Sequence, residues 1–112
     1  MATLLVNAGK AIVTNRIKGS GTEPVYVAWG TGAGTTGATD TTLFTETGTR
    51  TSGTSTQQTT SVTNDTYQVV GTMTAGGTLA ITNAGLFDAS TSGNLFVKGD
   101  FSTINLSSGD SI

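Results

Sequence analysis

Apolar residues along this chain fall into short clusters separated by runs of Gly, Thr and Ser, and the spacing inside each cluster points to an element. In residues 3–17 the intervals of three and four from Leu5 through Ala8 to Ile12, with Leu4 and Ala11 beside them, predict one stripe of a short amphipathic helix. Gly9 weakens that helix by about 1 kcal/mol relative to Ala, so a strand held against the rest of the protein is the alternative for the same segment. Lys18-Gly-Ser-Gly-Thr-Glu-Pro24 is a turn cluster that ends it.

Val25-Tyr-Val-Ala-Trp29 is the clearest strand, aromatic and β-branched, opened by Pro24 where a missing amide donor is tolerated. Its near-continuous apolar character predicts a central position. Gly30-Thr-Gly-Ala-Gly-Thr-Thr-Gly37 then reads as a flexible loop, and Asp40 as the cap of a short helical turn holding Leu43 and Phe44. From Thr47 to Thr66 the sequence is mostly Thr, Ser, Gly and Gln, with Arg50 and Val62 as exceptions; a polar outer strand is expected over Thr56–Val62. Tyr67-Gln-Val-Val-Gly-Thr-Met73 is a further strand, turned by Thr74-Ala-Gly-Gly77. Leu79-Ala-Ile81 is the next, leading into Asn83-Ala-Gly-Leu-Phe-Asp88. After Ser90-Thr-Ser-Gly93 come Asn94-Leu-Phe-Val-Lys98 and a segment marked by Phe101, Ile104 and Leu106.

Strands recurring at intervals of about 8–12 residues predict an all-β chain, an antiparallel β-sandwich with a short N-terminal helix. Residues 1–112 form one domain, with 1–18 as its helix or arm. Ser111-Ile112 has the character of the first step of another strand, which calls for a longer chain or for completion by a neighbouring subunit.

Composition narrows the function. A domain of this size buries only about two thirds of the surface its unfolded chain exposes, and with neither Cys nor His it has no disulfide or usual zinc ligand to stabilise it. Self-association is the remaining route. Charged residues make up 11% of the chain, and the five basic ones (Lys10, Arg16, Lys18, Arg50, Lys98) are too few to track a phosphate backbone, so nucleic acid is not expected as a partner. No apolar run is long enough to span a bilayer as a helix, and the N-terminus lacks the pattern of a signal peptide. A cytosol-like site of synthesis follows as the expectation.

Candidate chemistry is sparse. Gly32, Gly34 and Gly37 satisfy the letter of a dinucleotide fingerprint, but no helix-forming sequence follows and no βαβ unit is available, so a surface loop is the better reading. Hydroxyls abound without a histidine to activate them. Asp40, Glu46, Asp65, Asp88 and Asp100 show neither the pairing of a glycosidase nor the spacing of a calcium loop. No catalytic residue, cofactor or metal is expected. Most aromatics read as core; Trp29 and Phe44, flanking the Gly-rich loop, are candidates for a subunit contact.

Three stretches together resemble a pattern of tailed-bacteriophage structural proteins. They are Asn7-Ala-Gly-Lys-Ala-Ile12 with Asn15-Arg-Ile17; Val27-Ala-Trp-Gly-Thr-Gly32 with Asp40-Thr-Thr-Leu43, Glu46 and Arg50; and Ile81-Thr-Asn-Ala-Gly-Leu-Phe-Asp88 with Gly93-Asn-Leu-Phe96. Phage tail-collar and tail-fibre N-terminal domains show a similar order, and small head-decoration (cement) proteins with jelly-roll-like sandwiches look similar too. The chain departs from the pattern at Asn83, where an acidic residue is usual, and a fibre shaft or receptor-binding tip is not expected of it.

The resemblance implies a virion protein assembled in the bacterial host cytoplasm. It implies first a capsid decoration protein, a homo-oligomer (a trimer suits local three-fold positions) bound to the major capsid protein. The alternative is a small tail, collar or neck/fibre component contacting tail or neck proteins. From another class, a carbohydrate-binding module would require Trp29 or Tyr26 exposed beside polar loops. The expected partner contacts are Leu4, Leu5 and Ile12 in the N-terminal segment, Trp29 and Phe44, the pair Glu46 and Arg50, and Ile112. Glu46 and Arg50 pair with each other or across a subunit boundary, the local pair being the simpler reading.

Overall fold

A computed structural model describes residues 2–112. It is mostly β, with strands in 43% of the chain against 11% in helix, and all its pairings are antiparallel. The elements are β1 (Thr3–Leu5), α1 (Asn7–Lys18), β2 (Tyr26–Gly30), β3 (Glu46–Ser52), β4 (Thr54–Gln58), β5 (Thr66–Val70), β6 (Leu79–Phe87) and β7 (Leu95–Leu106). Five of the strands make one sheet in the order β1-β7-β6-β2-β3, and β4 and β5 pair as a separate ribbon.

Both readings of the N-terminal segment are realised, one after the other. Leu4 sits opposite Lys98 in a short edge strand, and the helix starts only at Asn7. Gly19, at φ 90°, ends it in the left-handed conformation, where its N–H reaches the Arg16 carbonyl and that of Ser20 the Asn15 carbonyl. Gly9, which propensity marks as a weakness, is packed directly against β7. A Cβ there would lie 2.0 Å from the Phe96 carbonyl oxygen.

The long hairpin of β6 and β7 forms the middle of the sheet. Sequence grouping divides it too finely: Leu79–Ile81 and Asn83–Phe87 are one strand with a bulge between Ile81 and Asn83, and the segments on either side of Gly99-Asp100 are one strand of 12 residues. Gly99 does not break the strand because it pairs with Thr3 on one side and Ala84 on the other. The outer strand expected over Thr56–Val62 is displaced. The ribbon strand β4 ends at Gln58, and the chain turns where the Asp65 carboxylate accepts the amides of Thr60, Ser61 and Val62. Residues 46–52, which run into the Thr- and Gly-rich stretch from Thr47 to Thr66, form edge strand β3 beside β2. The helical turn expected after Asp40 is absent; the Asp40 carboxylate instead accepts the Gly37 amide and a proton of Lys98.

Both faces of the sheet are apolar at its centre, which is why β2 reads as a near-continuous apolar run. Ala28 joins Val6, Leu43, Phe87 and Leu95 on one face. On the other, Trp29 packs with Met73, Ala75, Ile81 and Leu106, with Val27, Ala84 and Phe101 around them. Val69 and Gly71 bring the ribbon over this second face, next to Val27. Residues 111–112, expected to seek a partner outside the chain, pair internally. Met73 and Ile112 exchange both backbone hydrogen bonds (2.8 and 2.9 Å), and Thr74 lies opposite Ser111.

Candidate partner-contact surfaces and the polar row beneath the long loop

The loop 31–45 has no helix or strand, yet it is fixed to the first face of the sheet by three polar side chains. Asn83, fully buried, accepts the Phe44 amide and donates to the Phe44 carbonyl, each at 3.0 Å. Lys98, also buried, donates to Asp40 and to the Thr42 carbonyl, both at 2.9 Å, and its ammonium lies 3.3 Å from the centre of the Phe44 ring. The Asp100 carboxylate accepts the amides of Thr36 at 2.9 Å and Ala2 at 3.2 Å. The register explains the grouping: Asn83 faces Asp100 across the β6–β7 pair, and Lys98 sits one step along, opposite Gly85.

These contacts set the local electrostatics. The Gly37 amide, followed by Lys98, lowers the Asp40 carboxyl below its ordinary value. The Thr36 amide holds Asp100 down at about 2. All three side chains hold the loop, so the row acts as a latch rather than a reactive centre. The Gly-rich stretch fits the same purpose. Phe44 returns against it, and a Cβ at Gly34 would sit 2.7 Å from the Phe44 ring.

Glu46 and Arg50 form the local pair. A straight strand would set residues four apart about 13 Å from each other, but β3 is irregular opposite Ala28, with Gly48 at φ 75°. Arg50 donates from Nε and Nη2 to the two Glu46 carboxylate oxygens at 2.8 and 3.1 Å. Its Nη1 holds the carbonyls of Ala89 and Ser92, and the guanidinium lies 3.5 Å over the Phe87 ring. Arg50 thereby fastens the β6–β7 turn, in which Asp88 also binds the amide and side chain of Asn94.

The eight expected contact residues divide by burial. Leu4, Leu5 and Ile112 are 36%, 41% and 53% exposed. Glu46 is exposed but engaged with Arg50. Ile12 and Trp29 lie inside the chain at 4% exposure each, Trp29 in the second core. Phe44 and Arg50 are half-buried against Lys98 and Phe87. The burial of Trp29 counts against sugar binding through that ring, and Tyr26 packs against the first core.

Other surface apolar residues were missed by sequence reasoning. Val13 and Ile17, four apart on α1, are exposed, Ile17 at 82%. Their spacing was available as a signal of a second helix stripe. With Ile12, Pro24, Tyr67 and Phe96 they line a hollow of about 370 Å³ between helix and ribbon. The Tyr67 hydroxyl donates to Glu23 and to the Pro24 carbonyl, and burial pushes its pKa up to about 12. A second hollow, about 400 Å³, runs between Val69 of the ribbon and Val27, Leu86, Val97 and Phe101 of the sheet.

Among the described residues no three acidic side chains converge as a cation site would require, and no helix is long and apolar enough to cross a membrane. Comparison with family models, with curated proteins and with solved structures finds no match.

Proposed function

We propose that the chain is a structural protein of a tailed-bacteriophage virion, and in first place a decoration protein that binds the major capsid protein and stabilises the shell. It does no chemistry of its own and works by contact, as a homo-oligomer with a trimer favoured. In this reading the five-stranded sheet and the β4–β5 ribbon are the two layers of a jelly-roll-like sandwich.

One observation carries the proposal. Several of the residues through which the chain resembles phage structural proteins, from the middle and last of the three stretches, meet in space, although more than 50 positions separate the outermost of them. Leu43, Phe87 and Leu95 share one core; Arg50 pairs with Glu46 and lies over Phe87; and Asp88 closes the turn that Arg50 clamps. Such residues act as one packing unit, which supports reading the resemblance as one of fold. The apolar side chains left outside that unit, on β1, α1 and the ribbon, supply surface for subunits and partners.

A small tail, collar or neck component is the second reading. It is favoured by the middle and last stretches of the pattern, which are those of tail-collar domains and make up most of the packed unit. The copy number per virion, measured by quantitative mass spectrometry against the major capsid protein, separates the two. Hundreds of copies in a simple ratio to capsid subunits are expected for the coat protein. About a dozen would move the chain to the tail or neck, and absence from the virion would remove both readings.

A further inference from the structure

The ribbon has an open side. β4 pairs with one edge of β5, and among the described residues the other edge has no strand against it along Thr66–Val70. Just beyond, that line is taken up by the chain itself, where Met73 and Ile112 exchange backbone hydrogen bonds in antiparallel sense. Backbone groups alternate in direction along a strand, so the groups that continue the line from Met73 are those of Gly71 and Val69. Side chains on this alternate set point at the sheet: Val69 lines the groove, and a Cβ on Gly71 would meet Val27. Val70, on the opposite set, is 60% exposed.

The groove below this edge is apolar. Its apolar side chains are Val27, Val69, Ala84, Leu86, Val97 and Phe101, and Thr3 lines it as well. Lys98 and Asp100 border it, but their charged ends lie on the other face, tied to Asp40 and Thr36. Thus a row of unpaired backbone donors and acceptors stands directly above an uncharged trough, with a direction and register already set by Met73 and Ile112.

We propose that this edge accepts one extended segment from a partner polypeptide, running antiparallel to β5 as a third ribbon strand. The segment has apolar residues at alternate positions, opposite Gly71 and Val69, which enter the groove over Leu86 and Val97. Main-chain bonds supply the attachment and the trough selects side chains. The inference does not rest on the virion reading, since it follows from the edge and the groove alone.

The test uses backbone hydrogen exchange in the whole chain with a synthetic peptide of alternating Thr and Val carrying a Lys tail. Without peptide, the amides of Val69 and Gly71 should exchange as open groups. Saturating peptide should slow both at least tenfold, while a peptide with Asp in place of each Val should not. Val69→Lys, which charges the trough, should abolish the slowing, and Val70→Lys on the outer face should leave it intact. The Val70 variant keeps the test decisive if Val69→Lys fails to fold. Four results would overturn the proposal: protection of both amides in the dilute chain alone, protection that grows with protein concentration (a second copy pairing edge to edge), no slowing by the Val peptide, or equal slowing by the Asp peptide. Neither outcome alters the copy-number result.

Discussion

Asn83 grips Phe44 by both backbone groups, accepting its amide and donating to its carbonyl at 3.0 Å each, so that a buried strand residue serves as the missing partner strand for one residue of a loop. An amide side chain can do this because it carries a donor and an acceptor side by side. A carboxylate cannot.

Asn83→Asp should therefore weaken the chain while leaving its size and shape unchanged. It places a charge at a fully buried position and leaves the Phe44 carbonyl without its donor. A loss of about 1–3 kcal/mol is expected from one unsatisfied buried group, read from the shift in urea midpoint at pH 7 at constant slope.

The Lys98–Asp40 pair should respond unequally to its two deletions. The Lys98 side chain is completely buried, whereas that of Asp40 keeps a quarter of its surface in water. Asp40→Ala strands a buried cation, and breaking such a pair costs about 3–5 kcal/mol, here toward the lower end because one partner is solvated. Lys98→Met replaces the cation with an apolar chain and leaves a carboxylate that can hydrate, so its cost should be smaller. Urea unfolding of the two variants checks the order.

Acid should loosen the loop through Asp100. Its folded pKa of about 2 lies below the ordinary aspartate value, so its contribution is complete above that value and is lost as pH falls toward 2. The urea midpoint should fall between pH 5 and pH 2, and Asp100→Asn should flatten part of that fall. Asp40, Asp65 and Glu23, also lowered, contribute to the remainder. An unchanged pH profile in the variant would show that the Thr36 and Ala2 amides do not depend on the charge.

Gly9→Ala tests packing against propensity. On an isolated helix the change gains about 1 kcal/mol. Here the new methyl would fall onto the Phe96 carbonyl oxygen, and forced overpacking costs about 1–3 kcal/mol. The expected outcome is a lower Tm, read by calorimetry.

The same residue shows where sequence was legible. Periodicity found helix α1 and strand β2, because each buries a face whose spacing is written in apolar side chains. It could not tell that Gly9 is a contact, because a missing side chain leaves no pattern. Strand β3 escaped notice for a related reason: it is an edge strand of Thr and Gly held by backbone pairing and by Arg50, whose partners lie 39 and 42 residues away. The latch residues Asn83, Lys98 and Asp100 sit at alternating or facing positions that become a row only once the β6–β7 register is known. Of the candidates in the N-terminal segment Leu4 and Leu5 are exposed, whereas Trp29, a candidate because it flanks the Gly-rich loop, is core.

The strand order also bears on how the protein is made. β6 and β7 occupy the middle of the sheet but begin only at Leu79 and Leu95, so the first two thirds of the chain leave the ribosome before the scaffold they dock on exists. Until then only the β2–β3 and β4–β5 pairings are within reach, and β1 must wait for a partner more than 90 residues downstream. A nascent segment that waits with its strands unpaired is prone to stick to its neighbours. The Thr- and Gly-rich stretch between Thr47 and Thr66, which offers so little to a core, keeps that waiting segment hydrated until the last hairpin arrives.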